Sequence, residues 1–186
     1  TITQAIRAYL ELVGAPTVTE AAIAIANPVH GERICMTNHD WAFSIEETRQ
    51  ELSLTRLVFK NDFAALAMSV PLLQPNELQQ IGGEVSKKQN TLAVIGPGTG
   101  LGVSGLFREG GGWIAVCGEG GHVSISPGNQ RELDILKVCW EEFSHVSAER
   151  LVSGMGLQNI YRAICKLENK HADDLTPADI SSMAIS

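Results

Sequence analysis

The sequence predicts an α/β protein whose sheets are not purely parallel. Short apolar runs of strand type, such as residues 21–26, 57–59 and 91–95, alternate with segments of helical spacing. In mid-chain two further apolar runs, residues 103–107 and 113–116, are separated by Gly110-Gly111-Gly112, a pattern typical of an antiparallel pair joined by a tight turn. The alternation of strands and helices indicates an α/β architecture, and the strand pair joined by a tight turn argues against a purely parallel sheet.

Periodicity and cap signals predict the other elements. Ser44-Ile45-Glu46-Glu47 is a capping-box signal at the start of one helix. Pro71 ends another helix, the alanine-rich one that directly precedes this proline. The helices are predicted over residues 2–13, 46–52, 63–70 and 130–142, with two more bracketing Gly154-Met155-Gly156, and short strands over 34–36 and 122–125.

Composition excludes several classes of protein. The chain has 186 residues, of which 44% are hydrophobic and 19% charged, so it can form one large domain or two small ones rather than a disordered chain. The net charge is 14 − 21 = −7, which argues against a nucleic-acid partner. No apolar run approaches the ~20 residues of a membrane span, and no basic amphipathic segment is present to bind a membrane surface. We therefore expect a soluble protein with neither partner.

Cysteine usage and the N-terminus predict a cytoplasmic location. The four cysteines are far apart and form no C-x-x-C pair, which is typical of reduced, buried or half-buried thiols. They are Cys35, Cys117, Cys139 and Cys165. The first residues also lack the basic region leading into an apolar run that marks a signal peptide.

The strongest local motif is the glycine-rich string from Gly96 to Gly102, directly after a strand. Without side chains at Gly96, Gly98 and Gly100, backbone N–H groups and the Thr99 hydroxyl can approach phosphate oxygens. The string is neither a Walker A loop nor the dinucleotide fingerprint G-x-G-x-x-G, and a strand rather than a helix follows it. A glycine-rich hairpin with a purely structural role remains the alternative.

A second motif, Asn61-Asp62, lies between a predicted strand and a predicted helix. The carboxyl end of a strand is the edge at which α/β proteins bind ligands. Asp62 is equally explained as a helix N-cap, which is the commoner reason for Asp at such a position.

Two further sets of polar residues stand out in the second half of the chain. Glu119 and His122 lie three positions apart among glycines, which could reflect ligand binding or a sharp turn with exposed side chains. A zinc site needs three or four ligands and no partner follows at recognisable spacing, so no metal site is predicted. Glu149 lies near a predicted helix N-terminus, where the helix dipole alone would stabilise a carboxylate.

Taken together, these motifs point to the phosphorylation of a polyhydroxylated substrate. Sugar hydroxyls both donate and accept hydrogen bonds, so carboxylate, amide and imidazole groups can bind them. A glycine-rich loop would hold the phosphates of the donor.

The order and spacing of these motifs resemble those of the bacterial-type glucokinases, a family with the actin/hexokinase-like (ribonuclease H-like) two-domain fold. The resemblance runs through nearly the whole chain. The segments that carry it are Ala24-Ile25-Ala26, Met36-Thr37-Asn38-His39, Trp41-Ala42-Phe43-Ser44-Ile45, Asn61-Asp62-Phe63, Gly96 to Gly102, Gly118 to His122 and His145-Val146-Ser147-Ala148-Glu149-Arg150.

The resemblance implies ATP-dependent phosphorylation of D-glucose at its 6-hydroxyl, with Mg²⁺, in a homodimer that closes on glucose. Asp62 would be the general base, since an alcohol is too weak an acid to ionise at neutral pH without a carboxylate to accept its proton. The implied glucose ligands are Asn61, Asp62, Glu119, His122 and Glu149, and the implied phosphate loop comprises Gly96, Gly98, Thr99 and Gly100.

The sequence also departs from the family pattern. The family's first phosphate loop, Asp-x-Gly-Gly-Thr-Asn, does not occur in it. We therefore interpret the chain as an internal portion of the fold, with most of the smaller domain in residues 1–72 and part of the larger in residues 73–186. A non-catalytic sugar-binding or regulatory module is the alternative. An actin-like filament ATPase would not explain Asn61-Asp62 and the Gly118–His122 set.

Overall fold

The computed structural model describes residues 1–36, 40–83 and 90–185. The chain divides into two compact units, residues 1–83 and residues 84–186, and each is described by itself. Thr37, Asn38 and His39, which belong to one segment of the family resemblance, lie outside the described residues. The predicted assignment of residues 1–72 and 73–186 to a smaller and a larger domain remains a prediction.

The first unit consists of short strands and helices around one apolar core. Its elements are α1 (Ile2–Leu12), β1 (Glu20–Ile25), β2 (Arg33–Cys35), β3 (Ala42–Ser44), α2 (Ile45–Glu51), β4 (Arg56–Asn61) and α3 (Asp62–Ser69). β1 and β4 pair in parallel and end together, with Ile25 opposite Asn61, whereas β2 and β3 pair antiparallel. The core is formed by the buried side chains of Ile34, Leu54, Leu57 and Phe59.

Side-chain caps set the start of the helices in this unit. The Thr1 hydroxyl accepts a hydrogen bond from the Gln4 amide at 3.3 Å, and the Ser44 hydroxyl accepts one from the Glu47 amide at 3.0 Å. The cap predicted at Ser44 is therefore confirmed. β3 was not predicted, because three residues are too few to reveal an alternating pattern.

The second unit combines an antiparallel sheet with helices. Its elements are β5 (Thr91–Pro97), β6 (Leu101–Glu109), β7 (Gly112–Cys117), α4 (Gln130–Trp140), α5 (Gly154–Leu167) and α6 (Pro177–Ile185). The strands are ordered β5-β6-β7. The turn between β6 and β7 uses Gly110 at φ 57° and Gly111 at φ 86°, a region that glycine occupies without steric cost. The prediction that the strands do not form a purely parallel sheet is confirmed, because these strands pair antiparallel.

The apolar interior of the second unit has two parts. Leu106 on β6 is completely buried. Between α4 and α5, the buried residues Leu136, Cys139, Val146 and Ala163 form a separate cluster.

Two sequence predictions in this unit are wrong. Residues 122–125 do not form a strand: Gly120–His122 is a turn of 3-10 helix, and Ser124 makes a single bridge to Ser147. Nor do two helices bracket Gly154 to Gly156, because α5 begins at Gly154. The Ser153 hydroxyl accepts a hydrogen bond from the Gly156 amide at 3.0 Å, so these glycines form the first turn of the helix.

The cysteines divide into two pairs by burial. All four are free thiols, with Cys139 and Cys165 buried and Cys35 and Cys117 exposed, so the prediction of buried or half-buried thiols is wrong for the second pair. Burial raises the pKa of the Cys139 thiol, since a thiolate is poorly solvated there.

A helix that crosses a bilayer needs about 20 predominantly apolar residues. Within residues 1–36, 40–83 and 90–185, no helix has both the length and the apolar character needed to cross a bilayer.

Candidate functional site

In the first unit, Asn61 and Asp62 lie where β4 passes directly into α3. The Asn61 side-chain oxygen accepts a hydrogen bond from the Ala64 amide at 3.1 Å, so Asn61 is the N-cap of α3 and Asp62 is its first residue. The interpretation of Asp62 as the cap is therefore wrong. Asn61 directly precedes the first helical residue, the position from which a side-chain oxygen reaches the free amide three residues later.

The Asp62 carboxylate is held by one of its two oxygens. Oδ1 accepts hydrogen bonds from the Phe63 amide at 2.9 Å and from Asn61 Nδ2 at 3.0 Å. Among the described residues no group donates to Oδ2. Asp62 is half-buried, so this arrangement fixes the carboxylate while leaving one oxygen available to a ligand.

In the second unit, Glu119, His122 and Glu149 form a continuous chain of polar groups. His122 Nδ1 lies 3.4 Å from Glu119 Oε2, and His122 Nε2 lies 3.7 Å from Glu149 Oε1. The Glu149 side chain is only 25% exposed, whereas those of Glu119 and His122 are 68% and 61% exposed. The cluster therefore has a fixed inner carboxylate and an outer pair open to solvent.

Glu149 is fixed by the backbone of the glycine-rich string and not by a helix dipole. Its Oε2 accepts a hydrogen bond from the Leu101 amide at 2.8 Å. α5 begins five residues later, at Gly154, which is beyond the first turn where a helix dipole acts. The sequence-based explanation of Glu149 by helix-dipole stabilisation is therefore wrong.

The glycine-rich string forms the tip of the β5-β6 hairpin and is attached to the start of α5. The Gly98 amide donates to the Gly100 carbonyl at 2.8 Å, and the Gly154 amide donates to the Gly98 carbonyl at 2.8 Å. A Cβ added at Gly98 would meet no atom within 4 Å, so the space beside this backbone is open. Thr99 is exposed, and within the described residues its hydroxyl has no hydrogen-bond partner. A free hydroxyl beside open backbone suits the phosphate groups of a nucleotide.

Gly120 and Gly121 bring Glu119 and His122 against β6. A Cβ at Gly121 would collide with the Leu101 carbonyl oxygen, and one at Gly120 would lie 2.8 Å from Val103 Cβ. Glycine is needed at these positions because the two backbone segments approach closely. The sequence indicated a turn here but not the strand against which it packs.

A polar cavity of about 340 Å³ opens beside this cluster. One side carries the Arg150 guanidinium, which lies 4.2 Å from the centre of the Phe143 ring, and another carries His145, whose Nε2 is 3.0 Å from Ser124 Oγ. The residues around the cavity are His122, Glu142, Phe143, Ser144, His145, Ser147, Glu149 and Arg150. A lining with both donors and acceptors fits a polyhydroxylated ligand.

Across residues 1–36, 40–83 and 90–185, no three His, Cys, Asp or Glu side chains are placed to hold a metal ion.

The structure thus brings together most of the predicted site residues of the second unit. Glu119, His122 and Glu149 are linked to the Gly96–Gly102 string, while Asn61 and Asp62 are adjacent in the first unit. The Leu101 and Gly154 amides were not predicted as parts of this site. Every residue except proline carries a backbone N–H, so the residue type does not show which of these groups belongs to a site. Only the neighbouring glycines indicated that backbone segments come close together here.

Comparison with known proteins identifies the family. The family model described as glucokinase matches residues 1–186, so the chain belongs to the glucokinase family.

Curated relatives match over the full length of the chain. The glucokinase of Chromobacterium violaceum is 49% identical over 186 residues, which are 100% of this chain and 53% of the relative. The glucokinase of Neisseria meningitidis serogroup B is 47% identical over 186 residues, covering 100% of this chain and 57% of the relative. The chain therefore spans about half the length of the curated relatives it matches.

Solved structures confirm the predicted actin/hexokinase-like fold, and this chain covers only part of each of them. A glucokinase from an Antarctic psychrotroph superposes with a TM-score of 0.85 at 33% identity, over 98% of this chain and 57% of that one. A Balamuthia mandrillaris glucokinase solved in complex with glucose gives a TM-score of 0.66 at 23% identity, over 98% of this chain and 56% of that one. At this identity the match supports the fold alone.

Proposed function

We propose that this protein phosphorylates D-glucose at its 6-hydroxyl with ATP, forming glucose 6-phosphate. The observation that carries the proposal is the glucokinase family match over all 186 residues. The polar cluster of Glu119, His122 and Glu149 beside a glycine-rich loop supports it, because it places sugar-binding and phosphate-binding groups next to each other.

Asp62 is the proposed general base. Its Oδ1 is occupied by the Phe63 amide and Asn61 Nδ2, which orient the carboxylate and leave Oδ2 to accept the proton of the 6-hydroxyl. A positioned carboxylate is needed because the hydroxyl does not ionise at neutral pH, and the proton must leave as the phosphoryl group arrives.

The proposed glucose ligands are Asn61, Asp62, Glu119, His122 and Glu149. Carboxylate oxygens accept from sugar hydroxyls, and the imidazole of His122 can donate or accept. A pocket built from such groups discriminates against an epimer, since a misplaced hydroxyl leaves a buried partner unpaired.

The proposed ATP site includes Gly96, Gly98, Thr99 and Gly100. The open backbone at Gly98 and the free hydroxyl of Thr99 support contact with phosphate oxygens. The Mg²⁺ expected with ATP would neutralise charge on the transferring phosphoryl group.

We further infer a cytoplasmic homodimer. The free cysteines support the cytoplasmic location, and the family resemblance supports the homodimer. Sedimentation of the full-length gene product at several concentrations tests the dimer, and a single monomeric species at all of them would contradict it.

Two measurements on the full-length gene product test the proposed function. Calorimetric titration with glucose, and with galactose as the epimer control, is expected to give heat with glucose alone. Coupled detection of ADP is then expected to require both ATP and glucose. A folded protein that neither binds glucose nor releases ADP would contradict the proposal, while glucose binding without ADP release would indicate a sugar-binding module.

A further inference from the structure

Three polar atoms of Glu149 are hydrogen-bonded to the protein: its amide nitrogen, its carbonyl oxygen and Oε2 of its side chain. Its amide donates to the Gly121 carbonyl at 2.9 Å, and its carbonyl accepts from the Ser153 hydroxyl at 2.7 Å. Its side-chain Oε2 accepts from the Leu101 amide at 2.8 Å. Within the part of the chain that the structure describes, no group donates a hydrogen bond to Oε1, which faces His122 Nε2 at 3.7 Å and remains available to a ligand.

Gly100 provides the space that this arrangement needs. A Cβ at Gly100 would collide with Oε2 of Glu149 and lie 3.2 Å from its Cδ. Gly100 does not have a positive φ, so its backbone conformation is open to any residue. A side chain at this position would therefore conflict with the neighbouring carboxylate and not with the turn.

The carboxylate, rather than the loop, would move if Gly100 carried a side chain. The Gly98 carbonyl is held by the Gly154 amide at 2.8 Å, and Gly98 N–H is bound to the Gly100 carbonyl, so the loop backbone is anchored on both sides. The Glu149 carboxylate is the end of a flexible side chain whose link to the loop is one hydrogen bond. Displacing it would break the Leu101 contact and turn Oε1 away from His122.

We propose that Gly100 and Leu101 are positioning residues for the sugar: they fix the Glu149 carboxylate so that Oε1 alone faces the substrate hydroxyl. This inference rests on the proposed function. It gives the second half of the glycine-rich loop a role in binding the sugar, distinct from contact with the phosphates. Binding geometry is sensitive to such placement, since a shift of ~1 Å can cost up to ~100-fold in rate.

The test compares Gly100→Ala with Gly105→Ala in the full-length gene product. Gly105 lies on β6 outside the site, and a Cβ there would meet only the Leu92 carbonyl oxygen at 3.6 Å and Val116 Cβ at 3.7 Å, which are ordinary contacts. Measured by calorimetry in the absence of nucleotide, Gly100→Ala is expected to raise the dissociation constant for glucose about tenfold or more. Gly105→Ala is expected to leave it unchanged.

A double-mutant cycle separates positioning from general damage. In the Glu149→Ala background the carboxylate is absent, so adding Gly100→Ala is expected to cause no further loss of glucose affinity. Full additivity of the two losses would overturn the inference. So would a Gly100→Ala variant that raised KM for ATP and left glucose unaffected.

A spectroscopic measurement keeps the test valid if Gly100→Ala fails to fold. An amide that donates to a carboxylate resonates downfield, so the ¹⁵N-labelled Leu101 amide is expected to move upfield in Glu149→Gln. An unmoved Leu101 resonance would overturn the inference. If the wild-type protein does not bind glucose, the proposed function fails and the positioning role fails with it. If the wild-type protein is active and Gly100→Ala does not change glucose binding, the positioning role alone is overturned.

Discussion

The amide of Gly154, the first residue of α5, donates a hydrogen bond to the carbonyl of Gly98 at 2.8 Å. Five residues before it, Glu149 accepts a hydrogen bond from the Leu101 amide at 2.8 Å. The segment from Glu149 to Gly154 is thus hydrogen-bonded to the glycine-rich loop at two residues, Gly98 and Leu101. It joins the group proposed to bind sugar to the loop proposed to bind phosphate within one compact unit.

Replacement of Asp62 tests the proposed general base. Asp62→Ala in the full-length gene product is expected to lower kcat by about 10²- to 10⁴-fold, since the 6-hydroxyl proton then has no acceptor. Glucose binding is expected to remain measurable by calorimetry, because the other ligands are unchanged. Glu11→Ala, on the exposed face of α1, is the control. Near-normal turnover of Asp62→Ala would show that another group accepts the proton.

Glu149→Gln is expected to weaken glucose binding more than ATP binding. The amide keeps the size of the side chain but replaces one acceptor oxygen by a donor, and a hydrogen bond to a charged group is lost, at a cost of about 1.5–3 kcal/mol. The two dissociation constants can be measured separately by calorimetry. An equal loss for both ligands would indicate a folding defect instead.

Ser153→Ala is expected to destabilise the second unit. Its hydroxyl caps α5 by accepting from the Gly156 amide and also donates to the Glu149 carbonyl. Loss of such a cap costs about 0.5–2 kcal/mol in the free energy of unfolding. Urea denaturation followed by circular dichroism measures the change, with Ser182→Ala on the exposed surface of α6 as the control. Equal stability of the two variants would show that the cap contributes nothing.

Leu106→Ala is expected to be among the most damaging apolar truncations in the sheet. The side chain is fully buried, and removal of a buried leucine costs about 2–5 kcal/mol because a cavity remains. Leu12→Ala, at a position that is 84% exposed, provides the matched control. A similar midpoint of urea denaturation for both variants would contradict the packing described for β6.

The pKa of Glu46 offers a test in the first unit. Hydrogen bonds from Arg49 and then Gln50 lower it from its ordinary value of 4.5 to about 2. Because the folded-state pKa is depressed, the stabilising contribution of this carboxylate is present above pH 4.5 and is lost as the pH falls towards 2. NMR titration of the Glu46 carboxyl should show the low value in wild type and a higher one in Arg49→Gln. A normal value in wild type would contradict the contact.

The elements of the fold were largely predictable because their signals are local. The apolar runs of β1, β4 and β5 and the hydroxyl cap of α2 are each contained in a few consecutive residues. Predictions failed where the chain packs against a distant segment. Residues 120–122 form a 3-10 turn because Gly121 contacts the Leu101 carbonyl, about 20 residues earlier in the chain.

By itself the sequence determined the α/β class, the glycine-rich string and the family resemblance, since residue types and their spacing are enough for these. Only the tertiary structure decided what holds Glu149. Its partner is a backbone N–H at Leu101, 48 positions away, and a backbone group looks the same at every residue. Only the tertiary structure, too, gave the reason for glycine at position 100, because the space it leaves is filled by a side chain from another part of the chain.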